Sequence, residues 1–207
     1  IWEFSEGHDP KLTAIDPTSG ARLWEAHDIQ ELLPAAKDSV VTPEGTRPDR
    51  TPFLPWKIHP VPTDRGLALI RSNGAAAMLD TRDGNTVLWS RKGLPDRIYG
   101  TLWDGGLLHI WGVRTKGSSS IDTVIEPVLV SIDPATGSTI HEEILQGGEP
   151  QCAVAVDGGR VAIATPRNIT MVAPMAPGES PRRQWRHSGP EVRDTNIGWA
   201  SGGQLVA

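Results

Sequence analysis

Two turn motifs recur in a fixed order along this chain, and any fold it adopts has to use both of them in every repeat. The first motif is strand, Asp-x-x-x-Gly turn, strand. It appears as Leu12-Thr-Ala-Ile-Asp16-Pro-Thr-Ser-Gly20-Ala-Arg-Leu-Trp24 and as Ala76-Ala-Met-Leu-Asp80-Thr-Arg-Asp-Gly84-Asn-Thr-Val-Leu-Trp89. A third copy runs Leu129-Val-Ser-Ile-Asp133-Pro-Ala-Thr-Gly137-Ser-Thr-Ile-His141, with His where the others carry Trp. A fourth, degraded copy runs from Asn168 to Pro174, through Gly178, to Arg183-Gln-Trp185. The chemistry of the turn explains the two fixed residues. The Asp carboxylate accepts backbone N–H groups of the turn it opens, and Gly supplies the positive φ that sends the chain back as a hairpin.

The second motif lies upstream of the first in each repeat. Asp64-Arg-Gly66, Asp104-Gly-Gly106, Asp157-Gly-Gly159 and Ser201-Gly-Gly203 each divide two short apolar runs. Every repeat therefore reads as strand, Gly hairpin, strand, loop, strand, Asp/Gly hairpin, strand. Four antiparallel strands of this kind make a β-propeller blade. Gly106 and Gly159 are 53 residues apart and Gly159 and Gly203 are 44 apart, near the ~40 to 50 residues of a blade. A β-sandwich has short strands and turns too, but it does not repeat the same two turns in the same order. The expected fold class is all-β, a propeller of four-stranded antiparallel blades with about four blades' worth of sequence, read as a single domain over 1–207.

Composition agrees and excludes several functions. Gly (22) and Pro (18) favour short strands joined by turns, and 8 Trp against 2 Phe and 1 Tyr assign the indole a specific use. A net charge of −5 leaves no basic footprint for nucleic acid. The single Cys152 permits neither an internal disulfide nor a Cys-rich zinc spacing, and it reads as a buried strand residue. No apolar run reaches the ~20 residues that span a bilayer. The opening Ile1-Trp2 reads as that of a mature or trimmed chain.

The phrase strand-Ile/Leu-Asp-x-x-(Thr/Ser)-Gly-x-x-x-Trp resembles the PQQ-like, quinoprotein-type propeller repeat. The same repeat occurs in the outer-membrane assembly lipoprotein of the barrel-assembly machinery. The resemblance covers nearly all of the chain outside residues 27–55. It implies that Trp24, Trp89 and Trp185 are blade-docking residues held by the turns of Asp16, Gly20, Asp80, Gly84, Asp133 and Gly137. His141 and the Pro174 to Pro181 turn depart from the pattern. Joining Gly202 to Ala207 onto Ile1 to Phe4 gives a match to the stretch that starts at Gly105. That leaves a closed four-bladed ring or a segment of a larger propeller. The segment is the expectation, because the break falls in mid-strand and rings of this family have seven or eight blades.

Residues 27–55 interrupt the repeats. Asp28-Ile-Gln-Glu31 is a capping box for a short helix through Ile29, Leu32 and Leu33, ended by Pro34, and a Pro-rich connector follows to Pro55. The segment reads equally as a partner-binding arm or as a rim helix with a linker. Trp2, Arg71, Trp103, His109, Trp111 and Arg114 stand near strand ends and are the candidates for lining a face or central channel, with packing as the plainer role for each. The loop from Thr115 to Asp122 reads as solvated.

Catalytic signatures are missing. There is no Gly-x-Ser-x-Gly elbow and no His-Glu-x-x-His pair, and the 6 His are scattered. Asp80, Asp83, Asp104 and Asp157 sit on separate turns, without the alternating oxygen ligands of a calcium loop. Quinoprotein dehydrogenases with this repeat use an adjacent cysteine pair and a calcium-bound cofactor, and here there is one Cys. The expectation is a non-enzymatic binding or scaffolding module of the bacterial cell envelope, without cofactor or metal. It is extracytoplasmic and meets a protein or envelope ligand on a loop face, with membrane contact only through a segment outside this sequence. The alternatives are part of a propeller enzyme, either dehydrogenase-like or glycan-active, and an extracytoplasmic sensor domain.

Overall fold

A computed structural model of the chain describes residues 2–5, 11–27, 29–33, 58–72, 74–116, 124–146, 148, 150, 152–156, 160–172, 183–188, 198–200 and 204–206. For 2–5, 30–31, 152–156, 160, 183–188, 198–200 and 204–206 it is the backbone course that is described. The chain falls into two compact units, Ile1–Gly93 and Leu94–Ala207.

The first unit holds two antiparallel sheets. β1 (Trp2–Ser5), β2 (Lys11–Ile15) and β3 (Arg22–Ala26) pair in chain order, and the single helical turn α1 (Ile29–Leu32) follows them. β4 (Ile58–Pro62), β5 (Leu67–Arg71), β6 (Ala75–Leu79) and β7 (Val87–Arg91) form a four-stranded sheet, again in chain order. The second unit repeats the plan with β8 (Arg97–Trp103), β9 (Leu108–Lys116), β10 (Val124–Ile132) and β11 (Thr139–Ile144). It continues with β12 (Cys152–Val156), β13 (Arg160–Ala164), β14 (Asn168–Val172) and β15 (Arg183–Ser188), and with the pair β16 (Gly198–Ala200) and β17 (Gln204–Val206). Below, these are the first to fourth sheets.

The same turn chemistry closes three of the hairpins. Gly20, Gly84 and Gly137 have φ of 71°, 69° and 72°, and each donates its N–H to the carbonyl of the Asp four residues back, at 2.9, 3.0 and 2.8 Å. The Asp16, Asp80 and Asp133 carboxylates accept the N–H two residues on, at 2.8, 2.9 and 2.9 Å. A β-bulge follows in the same place in each of the first four sheets, between Ala14/Ile15, Met78/Leu79, Ser131/Ile132 and Met171/Val172. The extra residue on the outgoing strand is the one before the Trp or His. In the first and second sheets this residue is Leu23 and Leu88, and both are exposed.

Register then lines up one row of residues across each sheet, ending on the Trp or His position. The rows are Trp2, Ala14, Trp24 in the first sheet and Val61, Ala68, Met78, Trp89 in the second. They are Leu102, His109, Ser131, His141 in the third and Val154, Ala162, Met171, Trp185 in the fourth. Three rows are built from apolar residues and end on Trp; the third sheet's row is polar.

Sheets stack head to tail within each unit. In the first unit the row face of the first sheet, with Leu12, Trp24 and Ala26, packs on Leu67, Leu69, Ala77 and Leu79 of the second. Ile29 and Leu33, from the helical turn and the residue after it, join this core, where each fully buried Leu or Ile contributes roughly 1.5–3 kcal/mol. The Trp24 indole also donates to Thr81 O at 2.9 Å and lies so close over Gly84 that a Cβ there would stand 2.2 Å from the ring. In the second unit Trp111, Leu129 and Leu145 of the third sheet pack on Val161, Ile163 and Val172 of the fourth. The first strands of these two sheets, β8 and β12, run beside each other. Trp111 fits because its β8 partner is Gly100, where a Cβ would meet the indole at 2.2 Å.

The expected helix at Ile29 is present as α1, whereas 34–57 of the interruption, most of the Thr115 to Asp122 loop and the Pro174 to Pro181 turn lie outside the described residues. So does Gly202, on which the choice between ring and segment turned.

Candidate functional site

The candidate face residues are divided between the two units. Arg71 ends β5 in the first unit and is 4% exposed, and burial pushes its guanidinium pKa down. Trp103, His109, Trp111 and Arg114 lie on β8 and β9 of the third sheet. The side chains of Trp2 and Trp185 lie outside the described residues. Trp89 is half-buried on β7. Trp111 is buried in the seam with the fourth sheet, and neither its indole N–H nor that of Trp103 has an acceptor among the described residues.

His109 is the centre of a buried relay. Its Nε2 lies 2.9 Å from Asp104 Oδ2 and its Nδ1 lies 2.8 Å from Ser131 Oγ. The Asp104 Oδ1 atom accepts the N–H groups of Gly106 and Leu107 at 2.8 and 2.7 Å. Burial raises the Asp104 carboxyl, but the bond from His109 and the two backbone N–H groups outweigh it, leaving the pKa below the ordinary value. The ionised Asp104 accepts a hydrogen bond from Nε2–H, and in that tautomer Nδ1 accepts from the Ser131 hydroxyl. The Asp–His–Ser order is that of a hydrolytic triad with the two ring nitrogens exchanged, yet Ser131 is 1% exposed near the end of β10, where no acyl substrate reaches it. Asp104 was foreseen only as a turn residue and Ser131 not at all. The signal for both is the row register, which a single strand does not display.

The turn aspartates are likewise engaged. The Arg82 side chain, helped by its N–H, holds Asp80 down at about 2. Asp16 is lowered by the Thr18 N–H and Asp83 by the Thr86 hydroxyl. Folded pKa values below the unfolded ones mean stability that is complete above the unfolded value of ~4 and is lost as pH falls through the folded values. Urea midpoints are therefore expected to hold from pH 7 to about pH 5 and then to drop steadily towards pH 2.5. A flat profile over that acid range would contradict these assignments.

The end of the third sheet opposite its Asp turns is different in character. β9 and β10 run on past the sheet's outer strand, and Val124, Ile125 and Ile144 stand 56%, 54% and 52% exposed there. Charged side chains frame them. Arg114 Nη2 donates to Glu142 at 3.0 Å and Lys116 to Glu126 at 2.7 Å. The Arg114 pKa is raised by the Glu142 bond despite burial. The Thr115 N–H is tied to Asp96 at 2.6 Å. Val124 and Ile144 stand on one face of this end and Ile125 on the other.

No family model and no curated protein matches the chain. Among solved structures it is similar to BamB from Moraxella catarrhalis, with 15% identity and a TM-score of 0.47 over 94% of this chain. The match covers 54% of that structure, so the chain spans about half of BamB's length. It is also similar to a protein of unknown function from Bacteroides caccae, with 14% identity, a TM-score of 0.32, and cover of 94% and 77% of the two chains. Among the described residues no group of three or more His, Cys, Asp or Glu could hold a metal ion, and no helix is long and apolar enough to cross a membrane.

Proposed function

We propose that these sheets are blades of a β-propeller that serves as a non-enzymatic binding or scaffolding module of the bacterial cell envelope. The blade reading rests on head-to-tail stacking, the repeated bulge and the Asp-x-x-x-Gly turns, with Trp24, Trp89 and Trp185 as docking residues. The binding reading is carried by the exposed Val124, Ile125 and Ile144 at one end of the third sheet. Exposed apolar side chains within a polar rim are the usual core of a protein contact. The outer strand of the first sheet, β3, leaves at the corresponding end, and the 27–55 interruption follows it directly. Chemistry is disfavoured because the reactive groups Ser131, His109, Asp104 and the turn aspartates are consumed by the fold.

Two measurements test the reading. Val124→Asp combined with Ile144→Asp, on one face of this end, is expected to weaken binding of a purified envelope-protein partner at least about tenfold, as loss of a hot spot does, with the melting temperature kept. Unchanged affinity would remove this end from the binding surface. Incubation with pyrroloquinoline quinone and calcium is expected to give no redox-dye reduction, and turnover would overturn the non-enzymatic assignment.

A further inference from the structure

We infer, on the reading that this end of the third sheet binds a protein, that the partner joins it as an extended strand added to β10 beside residues 124–126. The backbone sets the site. Pro127 turns its carbonyl towards β11, where it accepts the Leu145 N–H at 2.8 Å. Register against β9 is unbroken from 124 to 127, so two residues back Ile125 turns both its N–H and its C=O to that same side. Among the described residues no strand pairs with it there, because the ladder with β11 reaches only as far as Val128, opposite Ile144. Beyond Ile144 the chain is drawn off this line. Leu145 enters the core with Val161 and Ile163, and the Gln146 carbonyl accepts from Asn168 Nδ2 at 2.8 Å and from Thr165 Oγ1 at 3.1 Å, both of the fourth sheet's turn into β14.

The opposite edge of the same ribbon is closed. Thr115, which pairs with Ile125, turns its N–H the other way, and Asp96 Oδ2 accepts it at 2.6 Å. An open strand edge is a template for another strand, and a charged side chain placed on it is one way to blunt it. The exposed side chains also fit an added strand. Val124 and Ile144 lie on one face and Ile125 on the other, whereas a surface docked face-on covers one face only. A strand sends successive side chains to both faces, so two adjacent apolar residues in it cover Ile125 on one side and Val124 on the other. The flanking charges pair among themselves, Arg114 with Glu142 and Lys116 with Glu126, so the segment needs no charge of its own. The occupant is an extended, apolar segment of a protein partner, held by the Ile125 N–H and C=O.

The probe is a displayed library of short random linear peptides, selected on the immobilised protein. Ile125→Pro removes the outward N–H and keeps an apolar side chain, and Pro127 already occupies the equivalent position two residues on with the β9 register intact. Selected peptides are expected to lose affinity at least about tenfold on I125P and to keep it on I125V. They should also slow amide hydrogen exchange at Ile125 in the parent protein and leave Thr115 unchanged. If I125P does not fold, exchange at Ile125 decides, and an unprotected Ile125 overturns the proposal. Parental affinity on I125P, with loss on V124D combined with I144D, would overturn strand addition and leave the binding reading standing. Indifference to all these variants, or a library that yields no binder, would overturn both. A parent protein that dimerises where I125P stays monomeric would overturn the choice of occupant in favour of a second copy of this chain.

Discussion

His109→Ala is expected to lower stability by about 3 kcal/mol, because it leaves the buried, ionised Asp104 carboxylate without its imidazole donor and empties the space of the ring. The Asp104 carboxylate keeps the Gly106 and Leu107 N–H groups but loses its imidazole donor, and the Ser131 hydroxyl loses its acceptor. Ser131→Ala breaks only the neutral end of the relay and should cost about 1 kcal/mol. The two numbers are read as urea midpoints at pH 7 with unchanged m. Equal costs would mean that His109 contributes by volume rather than by its pairing with Asp104.

Gly84→Ala is expected to be about as damaging, roughly 3 kcal/mol, and Gly20→Ala much milder at about 1 kcal/mol. The two glycines occupy the same turn with φ of 69° and 71°, so the backbone penalty is common to both. They differ in what covers them. A Cβ on Gly84 would stand 2.2 Å from the Trp24 ring, whereas one on Gly20 meets nothing within 4 Å. The difference between the variants isolates the indole from the turn. Similar costs would show that Trp24 yields easily, and that the contact is loose.

How far the sequence carried depends on whether a signal is periodic. The Asp-x-x-x-Gly turns were readable because a positive φ and an N–H-accepting carboxylate require those residue types, and their hydrogen bonds recur in three sheets. The helix at Ile29 was readable from its capping box, and Ile29 is fully buried in the first unit's core. The relay was not readable. His109, Ser131 and Asp104 belong to two strands and a turn, and only pairing of Ser131 with His109 brings them together. Exposure of Val124, Ile125 and Ile144 was hidden for a related reason. All are β-branched residues in strand-like runs, which ordinarily means burial; Val124 and Ile125 are exposed where β9 and β10 outrun β11, and Ile144 is the last residue of β11.

The central structural claim is that the first sheet's row docks on the second sheet through the Trp24 indole. A double-mutant cycle on Trp24 and Gly84, followed by urea unfolding, tests it most directly. With Trp24→Ala already in place, Gly84→Ala should cost only the turn's own penalty of about 1 kcal/mol. That leaves a coupling of about 2 kcal/mol between the two sheets. Additive costs, with the coupling near zero, would contradict docking of the first sheet's indole on the second sheet's turn.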